Sequence, residues 1–215
     1  GEEFSAKVNL TRDYARASIK EIIYDQAILE GVSTTFPQTE TIIENGTVIG
    51  MKASDVQKIL NLKHAWEFIL DKDLLTYPSN FDIISHIAKL VNEGFYETGG
   101  RIRCVPVTIG GSTYKPPIPM ELDVKENINL LAKGNDVYLN AINICLYCMK
   151  TQIFIDGNKR ASVIFANHYL ISNGAGLLII PERLVPEFKN LLIDYYEGKN
   201  TTIIDFMLNN CIRKI

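Results

Sequence analysis

Apolar positions in this chain recur mostly at three- and four-residue intervals, the period of a buried helix face rather than of a strand. Residues 15–29 carry such a stripe and stop before Gly31, a residue suited to the left-handed cap that closes a helix. Residues 31–39 read as a loop, and 41–49, rich in Thr, Ile and Val, read as a short hairpin turning at Asn45-Gly46. Ser54 opens a helix with Val56, Ile59, Leu60, Lys63 and Trp66 at helical spacing, ending near Leu70. Further helices are predicted over 82–95, 120–132, 136–150, 158–170, 181–196 and 203–212. Residues 101–117 break the rhythm over a longer stretch. There Val105, Val107 and Ile109 fall on one face, Gly110-Gly111 offers a two-residue turn, and Pro106 confines the segment to an exposed edge. The pattern predicts a mainly α protein, a helical bundle around a central apolar helix with one small β-hairpin.

Chemistry concentrates where the helix of 136–150 ends. Asp156 and Gly157 form a turn into Asn158, Lys159 and Arg160, so two cations occupy the first turn of the next helix. That end of a helix carries the positive pole of its dipole, and each cation there costs about 0.3–1 kcal/mol unless an anion offsets it. Free N–H groups and both cations would hold such an anion, and Gly157 lets the backbone approach it. Asp156 would repel a bare phosphate but not one bridged by Mg²⁺, which takes one or two carboxylates plus phosphate oxygens. The residues point to a Mg²⁺-nucleotide site. The competing reading is a plain Asp-Gly turn before a core helix, with its cations in water.

Composition narrows the classes. The chain has 215 residues, 47% hydrophobic, enough for one substantial core. The formal charge of −3 argues against a general nucleic-acid or anionic-membrane binder, and no apolar run approaches the ~20 residues of a membrane span. The acidic start Gly1-Glu2-Glu3-Phe4 has no signal-peptide pattern, which predicts a cytoplasmic location. Cys145 and Cys148 form a C-x-x-C pair inside a helical run, where buried structural thiols are expected rather than a redox or zinc site.

Thr151 to Arg160 carries a resemblance. Phe154-Ile155-Asp156-Gly157-Asn158-Lys159-Arg160 resembles the core of the Fic/Doc family motif, H-x-F-x-[D/E]-[G/A]-N-[G/K]-R. The segment 98–117, containing Thr108, Ile109, Gly110, Gly111, Ser112 and Thr113, resembles that family's hairpin flap. Ile28-Leu29-Glu30-Gly31 resembles the end of its inhibitory helix. The three segments stand in the family's order, and the likeness spans roughly residues 18–200. It implies the Fic fold, with residues 1–50 as an N-terminal helical segment and 51–215 as the Fic-like domain, one compact unit together.

The resemblance also implies an activity: transfer of AMP from Mg²⁺-ATP to a Ser, Thr or Tyr hydroxyl of a protein target. Doc-like members, often with Lys after the Asn, transfer phosphate instead. Asp156 would bind Mg²⁺; Gly157, Asn158 and Lys159 would shape the anion hole; Arg160 would bind nucleotide phosphate; residues 108–113 would clamp the target. Self-association is left open. Three departures stand out. Gln152 occupies the place of the family's general-base His, and an amide cannot take the proton, a loss of ~10²–10⁴ in rate. Val163 replaces a second Arg, which leaves Glu30 without the partner the family gives it. Gln26 stands at the inhibitory Ser/Thr position. Glu30 is a candidate regulator on the resemblance and an ordinary helix end on its own residues. As a substitute base, His168 reads as a core residue, and His64, His86, Tyr114 and Lys150 have little to single them out. An impaired AMP transferase and an inactive nucleotide- or phosphate-binding module are the two leading expectations.

Overall fold

In the computed structural model, which describes residues 1–215, every residue of helix α8 (Asn158–Ser172) from Arg160 to Ile171 is buried. A helix shielded on all sides belongs at the centre of a core, and the others wrap it. The chain runs α1 (Glu2–Ala17), α2 (Ile19–Leu29), α3 (Phe36–Asn45), α4 (Ala53–Ile69), α5 (Phe81–Val91), α6 (Glu121–Leu131), α7 (Val137–Thr151), α8, β1 (Gly176–Leu178), α9 (Val185–Tyr196), α10 (Thr202–Asn210) and β2 (Ile212–Lys214). Helix α7 packs most extensively on α8, and α5, β1 and α4 cover other faces. Trp66, Phe154, Phe165 and Phe188 are the largest fully buried side chains.

The mainly helical bundle with one small antiparallel strand pair is as expected, with a different origin for the strands. Residues 176–178 pair with 212–214, Leu177 opposite Arg213. Segment 101–117 is extended with a turn and no strand. Polar cross-links explain why β1 lies where it does: Asn167 of α8 donates to the Leu178 carbonyl at 2.8 Å and accepts from the Leu178 N–H at 2.9 Å.

Two expectations fail near the N-terminus. Residues 36–45 are helix, not loop and hairpin. Thr35 and Gln38 form a reciprocal capping box, Pro37 sits in the first turn, and Gly46 at φ 80° ends the helix. Asn45-Gly46 is therefore a helix stop, and the β-prone residues before it lose to capping at both ends. Helix α1, absent from the sequence reading, buries only Thr11 and Ala15 and so shows almost no apolar stripe. Gly31 caps α2 as expected: its N–H reaches Ile28 O while Val32 N–H reaches Ala27 O, a Schellman pair. Cys145, Cys148 and Cys211 are buried free thiols, and burial pushes the Cys211 thiol up to about 12.

Candidate functional site

Helix α7 ends at Gln152, the one non-glycine residue with positive φ, at φ 50° and ψ 60°. A left-handed conformation costs an L-residue about 1–2 kcal/mol, so the surroundings must hold it. Its side chain does part of this: Nε2 donates to Met149 O at 2.7 Å, and Oε1 accepts from Asn158 Nδ2 at 3.1 Å. Arg103 does the rest. It is buried, with Nε on Gln152 O at 2.7 Å, Nη1 on Val105 O at 2.8 Å, and Nη2 on Pro117 O at 2.8 Å and Thr151 O at 3.3 Å. A cation at the carbonyl end of α7 also opposes that helix's negative pole. Arg103 thus ties both roots of the 104–117 segment to Gln152.

The turn that follows is closed by two asparagines. Asn158 accepts from Phe154 N–H at 3.0 Å and donates to Phe154 O at 2.9 Å. Asn92, fully buried after α5, donates to Asp156 O at 3.0 Å and Gly99 O at 3.2 Å. Gly157 has φ 75°, which strains any other residue, and a Cβ there would crowd Val91 Cγ2 at 3.0 Å. The first intrahelical bond of α8 runs from Ala161 N–H to Gly157 O, which leaves the N–H groups of 158–160 ahead of it.

This turn opens on a cleft of about 750 Å³. Gln152, Asp156, Gly157, Asn158 and Lys159 form one wall, Thr108 to Gly111 another, Lys189 and Asp194 of α9 a third, and Glu30 also lines it. Most residues singled out from sequence are thus brought together, with three exceptions. Ser112 and Thr113 turn outward to Glu197: the Ser112 hydroxyl donates at 2.9 Å and the Thr113 N–H at 3.2 Å. These donors and Lys199 hold the Glu197 carboxyl below its ordinary value. Arg160 is withdrawn behind the wall, only 6% of its side chain exposed, with Nε 3.5 Å from Glu30 and Nη2 3.4 Å from Asp156. Glu30 therefore does have a cation, contrary to the inference from Val163. Their contact is loose: Glu30 Oε1 and Arg160 Nε are buried without a hydrogen bond. Gln26 supports the same helix start by donating to Arg160 O at 3.1 Å and accepting from Trp66 Nε1 at 2.9 Å.

Arg103, Asn92 and Glu197 were missed. An Arg set between Ile102 and Val105 was the only hint of the first; a helix-end Asn and a surface Glu carry no signal. Of the proposed substitute bases, none lines the cleft. His168 is fully buried, and Lys150 lies over the rings of Tyr114 and Tyr195 at 5.0 and 5.4 Å.

Residues 78–170, which include α5, α7, the whole 101–117 segment and most of α8, match the model of the Fic/DOC family. Over that stretch, less than half of its length, the chain is similar to the Fic/DOC family. Solved Fic structures share its fold. Fic-1 (residues 134–508) from C. elegans superposes with TM-score 0.75 at 19% identity, over 97% of this chain and 68% of that one. A Fic domain-containing signalling protein from Bacteroides thetaiotaomicron gives TM-score 0.75 at 18% identity, over 97% and 91%. A Fic family protein from Desulfovibrio desulfuricans gives 0.66 at 15%, over 96% and 70%. No curated protein sequence matches the chain. No helix is long and apolar enough to cross a membrane.

Proposed function

We propose that the cleft binds a nucleotide, ATP by its family resemblance, and that the Fic domain is an AMP transferase attenuated at its base position. The observation that carries this is the meeting, in one cleft, of a helix start with unbonded N–H groups, Lys159, the exposed carboxylate of Asp156 and the 108–111 edge. Phosphates suit the N–H groups and Lys159. The chain has no cluster of three or more His, Cys, Asp or Glu side chains that could hold a metal by itself. A lone carboxylate fits Mg²⁺ when phosphate oxygens complete the shell, and the ion would offset charge on the transferring phosphoryl group.

In AMP transfer a target hydroxyl oxygen bonds to the α-phosphorus, pyrophosphate leaves, and the hydroxyl proton must go elsewhere. Gln152 offers no basic nitrogen, and both ends of its amide are already engaged. Backbone groups along 106–108 remain free to pair with an extended target segment. The test is transfer from ATP labelled at the α-phosphate into lysate proteins, comparing wild type with Gln152→His in Mg²⁺. We expect labelling to rise by about 10²-fold or more in the variant. No label in either, with no ATP binding by titration, would end this reading. A second reading, a module that binds nucleotide without transfer, is favoured by the double engagement of Gln152 and the sequestration of Arg160; ATP binding with neither lane labelled would select it. Label from the γ-phosphate alone would mark the Doc-like phosphate transfer that Lys159 recommends.

A further inference from the structure

A cleft of about 930 Å³ lies at the opposite end of α8 from the 152–160 turn. Tyr169, Ser172 and Asn173 of that helix end line it, with Phe4 and Val8 of α1 across from them. No carboxylate lines it, whereas Lys72 and Lys133 do, although the chain as a whole is net negative. Neither lysine is in an ion pair, so the cleft presents positive charge above an aromatic and aliphatic floor. Ser79 is also in its wall, half-buried.

Ser79 Oγ lies 2.7 Å from His168 Nδ1. His168 Nε2 lies 2.9 Å from the Leu74 carbonyl, which can only accept. That bond places the neutral ring's proton on Nε2 and leaves Nδ1 as the acceptor facing the serine hydroxyl. The arrangement is a nucleophile, a base in hydrogen-bond reach, and a third group that orients the base. Ser79 also directly precedes Asn80, the N-cap of α5, so the positive end of that helix dipole is adjacent.

We propose that Ser79 is a nucleophile activated by His168, and that this second cleft takes carboxylic esters bearing a separate anionic group. Ser79 Oγ bonds to the ester carbonyl carbon as its proton passes to His168 Nδ1. The bond from that carbon to the leaving oxygen breaks, and the leaving oxygen takes the proton, which releases an alcohol and leaves an acyl-serine. Water then attacks the acyl-serine, again giving its proton to Nδ1, and the proton returns to Ser79 Oγ as the carboxylic acid departs. Ester and water become acid and alcohol, with no other reactant. Burial lowers the His168 pKa and keeps the ring a neutral base at neutral pH. None of this depends on nucleotide binding at the first cleft, so either reading can fail alone.

The experiment is labelling of the full chain with a fluorophosphonate probe, read by intact mass and peptide mapping. We expect one adduct per chain, on Ser79, abolished in Ser79→Ala. In His168→Gln, folding being checked by Trp66 fluorescence, labelling should slow by about 10²-fold or more. If that variant does not fold, the wild-type pH profile serves: the rate should fall through an inflection below 6.5 as His168 takes up a proton. With an aryl ester carrying a carboxylate, Lys72→Ala/Lys133→Ala should raise KM, and a neutral analogue should be unaffected. Absence of an adduct at Ser79, a wild-type rate in folded His168→Gln, or a pH-independent rate would overturn the assignment. Equal KM changes for both esters would remove its anionic specificity.

Discussion

The turn at residues 152–160 and the tip of the 104–117 segment face each other across one cleft, yet they are held in opposite ways. The turn is fixed from several directions at once: Arg103 from the flap roots, Asn158 from inside, Asn92 from α5, Gln26 from α2. The tip rests Ile109 and Tyr114 against the core, and its polar tie is one carboxylate, Glu197, through Ser112 and Thr113. On the proposed function, a turn that presents N–H groups to phosphate would gain from being rigid before the ligand arrives. A segment that must admit a second molecule gains from a single, solvent-screened fastening that can release. On the proposed function, the difference separates residues that would set affinity from those that would set access.

The most severe way to break the comparison is to remove the turn's main support. Arg103→Met would remove hydrogen bonds to four carbonyls, those of exposed Val105 and Pro117 and half-buried Thr151 and Gln152. With their acceptors partly open to water, such bonds contribute about 0.5–1.5 kcal/mol each, so the expected loss is about 3–5 kcal/mol. Urea unfolding followed by the buried Trp66 would measure it. Arg103→Lys should fall between, because an ammonium cannot span a fork of carbonyls. A loss below about 1 kcal/mol for Arg103→Met would mean the turn holds itself and the contrast with the tip is weaker than drawn.

How far the sequence announced this arrangement differs between the two regions. The turn was legible because its parts are local: Asp156 through Arg160 are consecutive, and a helix with cations at the wrong end advertises an anion. Helices α4 to α10 were legible for a similar reason, since each buries a face at regular spacing. What was not legible is long-range. Arg103 acts on residues about 50 positions away, Asn92 on Asp156 64 positions away, and Ser112 on Glu197 85 positions away. Helix α3 was misread because β-prone side chains outweighed its capping box. The Glu30–Arg160 contact was misread because the missing second Arg was treated as the only cation available, when the first, one turn of helix earlier, reaches Glu30 instead.

That contact gives a smaller, sharper test of the turn. Glu30→Gln removes the charge that draws Arg160 away from the cleft. Arg160 is then free to add one charge-assisted bond to a phosphate, and affinity for Mg²⁺-ATP should rise about tenfold, roughly 1.4 kcal/mol. Isothermal titration of both proteins decides it. Unchanged affinity would show that Arg160 is a structural strut, held by Val91 O and Asp156 whatever Glu30 does.

The smallest effect belongs to the tip. Glu197 has a depressed pKa, caused first by the Thr113 N–H, then by the Ser112 hydroxyl and Lys199. A carboxyl whose folded pKa is lowered stabilises its contacts fully above its ordinary value of 4.5, and loses them as pH falls through the depressed one. Amide exchange at Thr113, corrected for intrinsic rates, should show protection at neutral pH that fades only below 4.5. In Glu197→Gln the protection should be lower by a few-fold at neutral pH and should lose its pH dependence, while amides of the phosphate turn stay as they were. If the turn's amides loosened together with the tip, the two regions would be one mechanical unit. If Thr113 kept its protection in the variant, the Ile109–Ser112 turn would be holding the flap without help from α9.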